Sequence, residues 1–120
     1  MSLAALIVVL LACVAISAIG ARFLLIPQRA TVDYGVAADD LRALTAIKGV
    51  RDIVSGVVLV VVWLAAGRHP LGWATLASAL TPIADAVIVH TNGGKLATVL
   101  GVHTLTAAVL IAAGLVLLLA

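Results

Sequence analysis

"AIKGVRDIVSGVVLVVVWLAAG", residues Ala46 to Gly67, decides how this chain is read. Its uncharged part runs only from Ile53 to Gly67. A hydrocarbon core of about 30 Å needs roughly 20 apolar residues at a rise of about 1.5 Å each, so that part is too short to cross. A crossing helix must begin earlier and carry Arg51 and Asp52 inside the membrane edge. The question for the rest of the sequence is what would receive those charges.

Of 120 residues, 65% are hydrophobic and 10% are charged, and the mean hydropathy is +1.34. Ordinary soluble domains are about half apolar and about a quarter charged. The chain therefore reads as an integral membrane protein, with residues 1–120 as one membrane domain and no length left for a separate soluble module. Three further stretches are long and apolar enough to span. Leu3 to Ala21 is uncharged, Leu71 to Val89 is interrupted only by Asp85, and Leu96 to Leu119 only by His103. The expected fold class is all-α: a four-transmembrane-helix antiparallel bundle with helices at about 3–24, 41–67, 71–90 and 96–119. The breaker-rich links Gly67–Pro70 and Thr91–Lys95 read as short loops. Pro27 to Ala38 reads as a longer first loop, followed by Asp39 and Asp40 as capping residues for the helix that starts near Leu41.

Basic residues set the orientation. Arg22, Arg29, Arg42, Lys48, Arg51 and Lys95 fall on the side of the first and third loops, and only Arg68 falls on the other. Lysine and arginine concentrate in cytoplasmic loops, so both termini are expected outside the cytoplasm, in a bacterial plasma membrane. Trp63 and Trp73 then lie near the outer interface, with Phe23 and Tyr34 near the inner one. Met1 to Val9 holds no Lys or Arg, so the first segment reads as a retained helix rather than a signal peptide.

Several classes drop out. One cysteine, Cys13, makes neither an intrachain disulfide nor a thiol metal site, and no two histidines have the four-residue spacing of helical zinc sites. No cofactor motif is present. A net charge of +2 without clustered, aromatic-interleaved basic residues argues against nucleic acid. Membrane lipids are the expected surroundings.

Depth brings the ionisable residues together. On the second helix Arg51 and Asp52 lie about one turn into the core from its inner edge, Asp85 roughly 6 Å from the same edge on the third, and His103 roughly 10 Å in on the fourth. Charges inside a membrane usually face inward, where they pair or line a cavity. Arg51 is about 100° around its helix from Asp52, so its expected partner is Asp85. Gly49, Asp52 and Gly56 share one stripe, and Thr75, Ser78, Pro82 and Asp85 share another. Pro82 has no N–H and cannot bond the Ser78 carbonyl one turn back, which favours a cavity there. Two more small-residue stripes, Cys13, Ser17 and Ala21 and then Thr104, Ala108 and Ala112, suit close helix packing within or between chains.

These same elements carry a resemblance. "KGVRDIVSG" (Lys48 to Gly56), the aspartate of "PIADAVIV" (Pro82 to Val89) and His103 are similar to the glycine-x-arginine-aspartate, aspartate and histidine positions of a family of short four-helix membrane proteins of bacteria and fungi. That family is known only as a domain of unknown function, DUF4267. The resemblance implies a four-helix fold and names no substrate.

Read together, the residues describe a polar pocket in the cytoplasmic half of the bundle that binds a lipophilic small molecule or acts on it by acid–base chemistry: hydration, ring opening or isomerisation. Asp85 or Asp52 is the candidate base, Arg51 the orienting cation and His103 the proton relay. Two other classes fit the same residues. In one the cluster only fixes helix register in an accessory or structural subunit, with the apolar faces bound to a larger partner. In the other it is the relay of a proton- or cation-coupled transporter, which would need a homo-oligomer because four short helices enclose little space. The topology is directly testable: in a Cys13→Ser background, an impermeant thiol reagent should label Asn92→Cys only from the cytoplasmic side and Ala120→Cys only from outside. Labelling of both from one side overturns the orientation.

Overall fold

The protein is described by a computed structural model covering residues 3–120. Among those residues every regular element is helical. In chain order these are α1 (Leu3–Leu25), α2 (Pro27–Tyr34), α3 (Leu41–Ala66), α4 (Arg68–Ser78), α5 (Leu80–Thr91), α6 (Leu96–Thr98), a π-helix (Val99–Thr104) and α7 (Leu105–Leu119). Four stretches are long and apolar enough to cross a membrane: Leu3–Leu25, Leu41–Ala66, Arg68–Thr91 and Leu96–Leu119. The all-α, four-span architecture expected from the sequence is present. The chain divides into two compact units, one ending at Lys48 and the other running Gly49–Ala120.

In the first unit the segment expected as a plain loop contains a helix. Ile26 leaves the helical conformation (φ −135°, ψ 65°), since the residue before a proline is disfavoured in the α region, and Pro27 then opens α2 at its first position, where a missing N–H costs nothing. Gly35 closes it in the left-handed conformation at φ +119°, with its N–H and that of Val36 both donating to the Thr31 carbonyl at 3.3 Å. α2 packs on α1, burying Ala30 and Thr31. Arg22 donates to Asp33 Oδ2 at 2.7 Å, and the Phe23 and Tyr34 rings meet edge to face at 6.1 Å. The ion pair is about half exposed, so it contributes at most about 1 kcal/mol and acts mainly to fix the register of α2 on α1. Asp40 caps α3 as expected: Ala43 N–H donates to its Oδ1 at 3.0 Å.

In the second unit, α3 and α4 are separated by Gly67 alone, so the expected loop at Gly67–Pro70 is corrected: Arg68, His69 and Pro70 form the first turn of α4. Pro70 fits there because the first N–H groups of a helix have no intrahelical acceptor. The third span is interrupted at Ala79, three residues before Pro82, whose ring and absent N–H break the regular ladder. Beyond the turn at Asn92, α4 packs against α7, and α5 against the π-helix and α7.

This hairpin is joined by small residues. Gly72, Thr75, Ala79 and Pro82 are buried on one side, and Val99, Ala107 and Gly114 on the other. A Cβ on Gly72 would lie 3.0 Å from the Gly114 carbonyl oxygen, and a Cβ on Gly114 would lie 3.1 Å from that of Gly72 and 2.8 Å from Leu76 Cδ2. Only hydrogen fits between these backbones. The stripe of Thr104, Ala108 and Ala112 is exposed instead, because the face of closest approach is set by Gly114, which lies off that stripe. Apart from side chains such as Leu76 and Leu118 at the glycine contact, many large apolar side chains point outward, with Leu64 73% and Leu119 85% exposed. Such surfaces are expected of helices solvated by lipid, where burying leucine against leucine gains little over lipid contact. Gly114→Ala should therefore lower hairpin stability by about 1–3 kcal/mol through overpacking. Gly20→Ala, whose Cβ meets nothing within 4 Å, should be neutral or stabilising. Unfolding by SDS in mixed micelles compares the two, and equal effects would contradict the glycine contact.

Candidate functional site

The geometry follows from unequal packing within Gly49–Ala120. The hairpin is closed by its glycines, whereas α3 buries no residue. Between them lies a cleft of about 200 Å³. α3 supplies Asp52, Ser55, Gly56 and Leu59 to its wall, which are neighbours on one helical face. The opposite wall is Ser78 from the end of α4, Thr81 and Pro82 from the start of α5, and Leu110 from α7. Asp52 and Pro82 are equally far along the chain from Gly67, which is why a helix and its successor across that glycine place them in one cleft.

The two serines of the wall are held locally. Ser55 Oγ donates to the Arg51 carbonyl at 2.8 Å, and Ser78 Oγ donates to the Ala74 carbonyl at 2.9 Å. These bonds to the carbonyl one turn back satisfy hydroxyls that would otherwise be stranded in an apolar phase. Pro82 is buried and donates nothing, so the Ser78 carbonyl lacks its usual donor four residues on.

Of the sequence-expected site residues, Asp52 belongs to the wall of this cleft, and Arg51, Asp85 and His103 do not. Asp85 follows Thr81 by one turn on the same face of α5 and is half-buried. His103 is half-buried in the π-helix, the segment that packs on α5. Arg51 is exposed. Among the described residues no hydrogen bond or ion pair joins Arg51, Asp85 and His103 to one another, so the expected Arg51 to Asp85 contact is not made. The reason is angular: α3 turns Asp52 toward the cleft, and the neighbouring residue is then about 100° away. No group of three His, Cys, Asp or Glu residues among those described has the geometry to hold a metal ion.

Two features were missed by sequence reasoning. Ser55, Leu59, Thr81 and Leu110 complete the wall, and for the first two the signal was their spacing from Asp52. The π-helix around His103 had no signal in the apolar pattern. In it the Leu105 N–H bonds to the Leu100 carbonyl five residues back rather than four. Such segments are rare and recur at functional sites, since they cost helical regularity. Here it falls on the span's only ionisable residue.

A family model described as a domain of unknown function, DUF4267, matches residues 13–117. The match takes in all four apolar stretches, including most of α1. The chain belongs to this family. No curated protein and no solved structure matches it.

Proposed function

We propose that this DUF4267 protein is a multi-pass membrane protein that binds a lipophilic small molecule in the cleft between α3 and the hairpin and acts on it by acid–base chemistry. The observation that carries the proposal is the placement of Asp85 and His103. Both are half-buried within membrane-spanning stretches, on packed elements and without a hydrogen-bonded partner among the described residues. Ionisable groups at that depth are costly to insert, by a few kcal/mol on insertion scales, and a working site is the usual reason they persist.

In this reading Asp85 or Asp52 is the base, His103 carries the proton to or from the reacting group, and Arg51, exposed on α3, orients a polar substituent without pairing to Asp85. Hydration, ring opening and isomerisation of a lipophile need no more than a placed base, a proton donor and exclusion of bulk water. A substrate reaches the cleft from the bilayer, because lipid bathes the apolar outer faces of the helices. The basic-residue asymmetry supports a cytoplasmic position for this end of the bundle, with both termini on the other side.

Asp85→Asn separates this reading from a purely structural one. It removes charge and base while keeping shape, and Asp85 has no hydrogen-bonded partner to lose among the described residues, so stability should stay within about 0.5 kcal/mol of the native protein. Mass spectrometry of solvent extracts from the purified proteins should find a lipophile retained by the native chain and lost from Asp85→Asn. A variant that melts markedly earlier yet keeps the same extract would contradict the proposal and favour an accessory role.

A further inference from the structure

The serine hydrogens in the cleft wall are already committed. Ser55 gives its proton to the Arg51 carbonyl and Ser78 gives its proton to the Ala74 carbonyl, so each hydroxyl has only lone pairs left for a ligand. Asp52 adds a carboxylate, which accepts and does not donate when ionised. It has room for about four hydrogen bonds, so it can accept from a ligand whatever bond it already makes. The Ser78 carbonyl, without a donor from Pro82, is a further acceptor at the same place. Thr81 is the single lining hydroxyl with no intramolecular hydrogen bond among the described residues, and it can act in either sense. No Lys, Arg or His lines the cleft. The wall is therefore rich in acceptors and poor in donors.

Size limits the occupant further. Pockets that enclose a whole drug-sized ligand run to about 300–1,000 Å³, so a cleft of about 200 Å³ holds a polar head and a few carbons only. Leu59 and Leu110 are the two leucines of the wall, suited to the first carbons of a chain. We infer that the cleft selects an amphiphile by a hydrogen-bond-donating head, a hydroxyl or an ammonium, held by Asp52, Ser55 and Ser78 with its chain in the bilayer. This rests on the lipophile-binding reading and adds the class of head group. A head that only accepts, such as a dialkyl ether or a carboxylate, offers no proton to the Ser78 carbonyl or to the serine lone pairs in a medium without water, and that mismatch gives the discrimination.

The test uses the full chain in lipid nanodiscs, with empty nanodiscs subtracting simple partition. Four fluorine-labelled probes of equal chain length are compared by NMR: decanol, decylammonium, decyl methyl ether and decanoate. At least one donor-headed probe should bind about tenfold or more tightly than the ether and the decanoate. Ser78→Ala and Asp52→Asn, each checked for unchanged helicity, should reduce that preference several-fold, and the alcohol and amine arms tell the two donor sources apart. Ether binding equal to that of the better donor overturns the inference while leaving the lipophile reading in place. If no probe binds above partition, or if Leu110→Trp, which fills the apolar end, leaves all binding unchanged, both fall.

Discussion

The rest of the structure depends on the backbone approach at Gly72 and Gly114. In water, helices join to remove leucine and valine from solvent; in lipid that gain disappears, and close van der Waals packing has to replace it. The hairpin meets this constraint by placing hydrogen where other helices place side chains, so each glycine touches the other's carbonyl. The residues buried along the seam are correspondingly small, and no large side chain among those described is fully buried. A core of this kind is specified by shape rather than by hydrophobicity, and one methyl group is enough to disturb it.

α3 has no such seam. Its glycines, Gly49 and Gly56, meet nothing within 4 Å, and its apolar residues lie open to their surroundings. The same constraint that draws α4 and α7 together thus leaves α3 at a distance, and the space between becomes a cleft instead of a packed interface. Polar residues collect where that space is, and the proline, the interruption at Ala79 and the π-helix all occur on the walls or one or two turns away. Departures from regular helix free or rearrange backbone groups that a ligand or water then satisfies. Irregular backbone and intramembrane polarity are, on this account, one feature.

Much of the fold was legible because a bilayer leaves so few solutions. Counting apolar residues located all four spans, and Asp40 announced its helix by its position before Leu41. α2 was hidden in the same stretch: Pro27 at its first position and Gly35 just past its end are helix boundaries, but with only two turns between them and mostly polar residues they also read as loop. Pro70 misled in the same way, since proline is a breaker inside a helix and neutral in its first turn. Of the site, counting picked out Asp52, Gly56, Ser78 and Pro82, which share the cleft. It grouped Arg51, Asp52, Asp85 and His103 by depth, and the pairing of Arg51 with Asp85 needed a helix rotation that counting does not supply. The glycine pair was invisible for a related reason, because Gly72 and Gly114 lie far apart in sequence and only the hairpin register brings them together.

The central claim is that glycine contact closes the hairpin while α3 stands off and leaves a cleft that something other than protein fills. A crystal structure grown from a lipidic mesophase tests it most directly. The account predicts Gly72 against Gly114 as described, and non-protein density between α3 and the hairpin within hydrogen-bond reach of Asp52 and Ser78. An α3 packed flush on α5, with side chains filling the space, would contradict it.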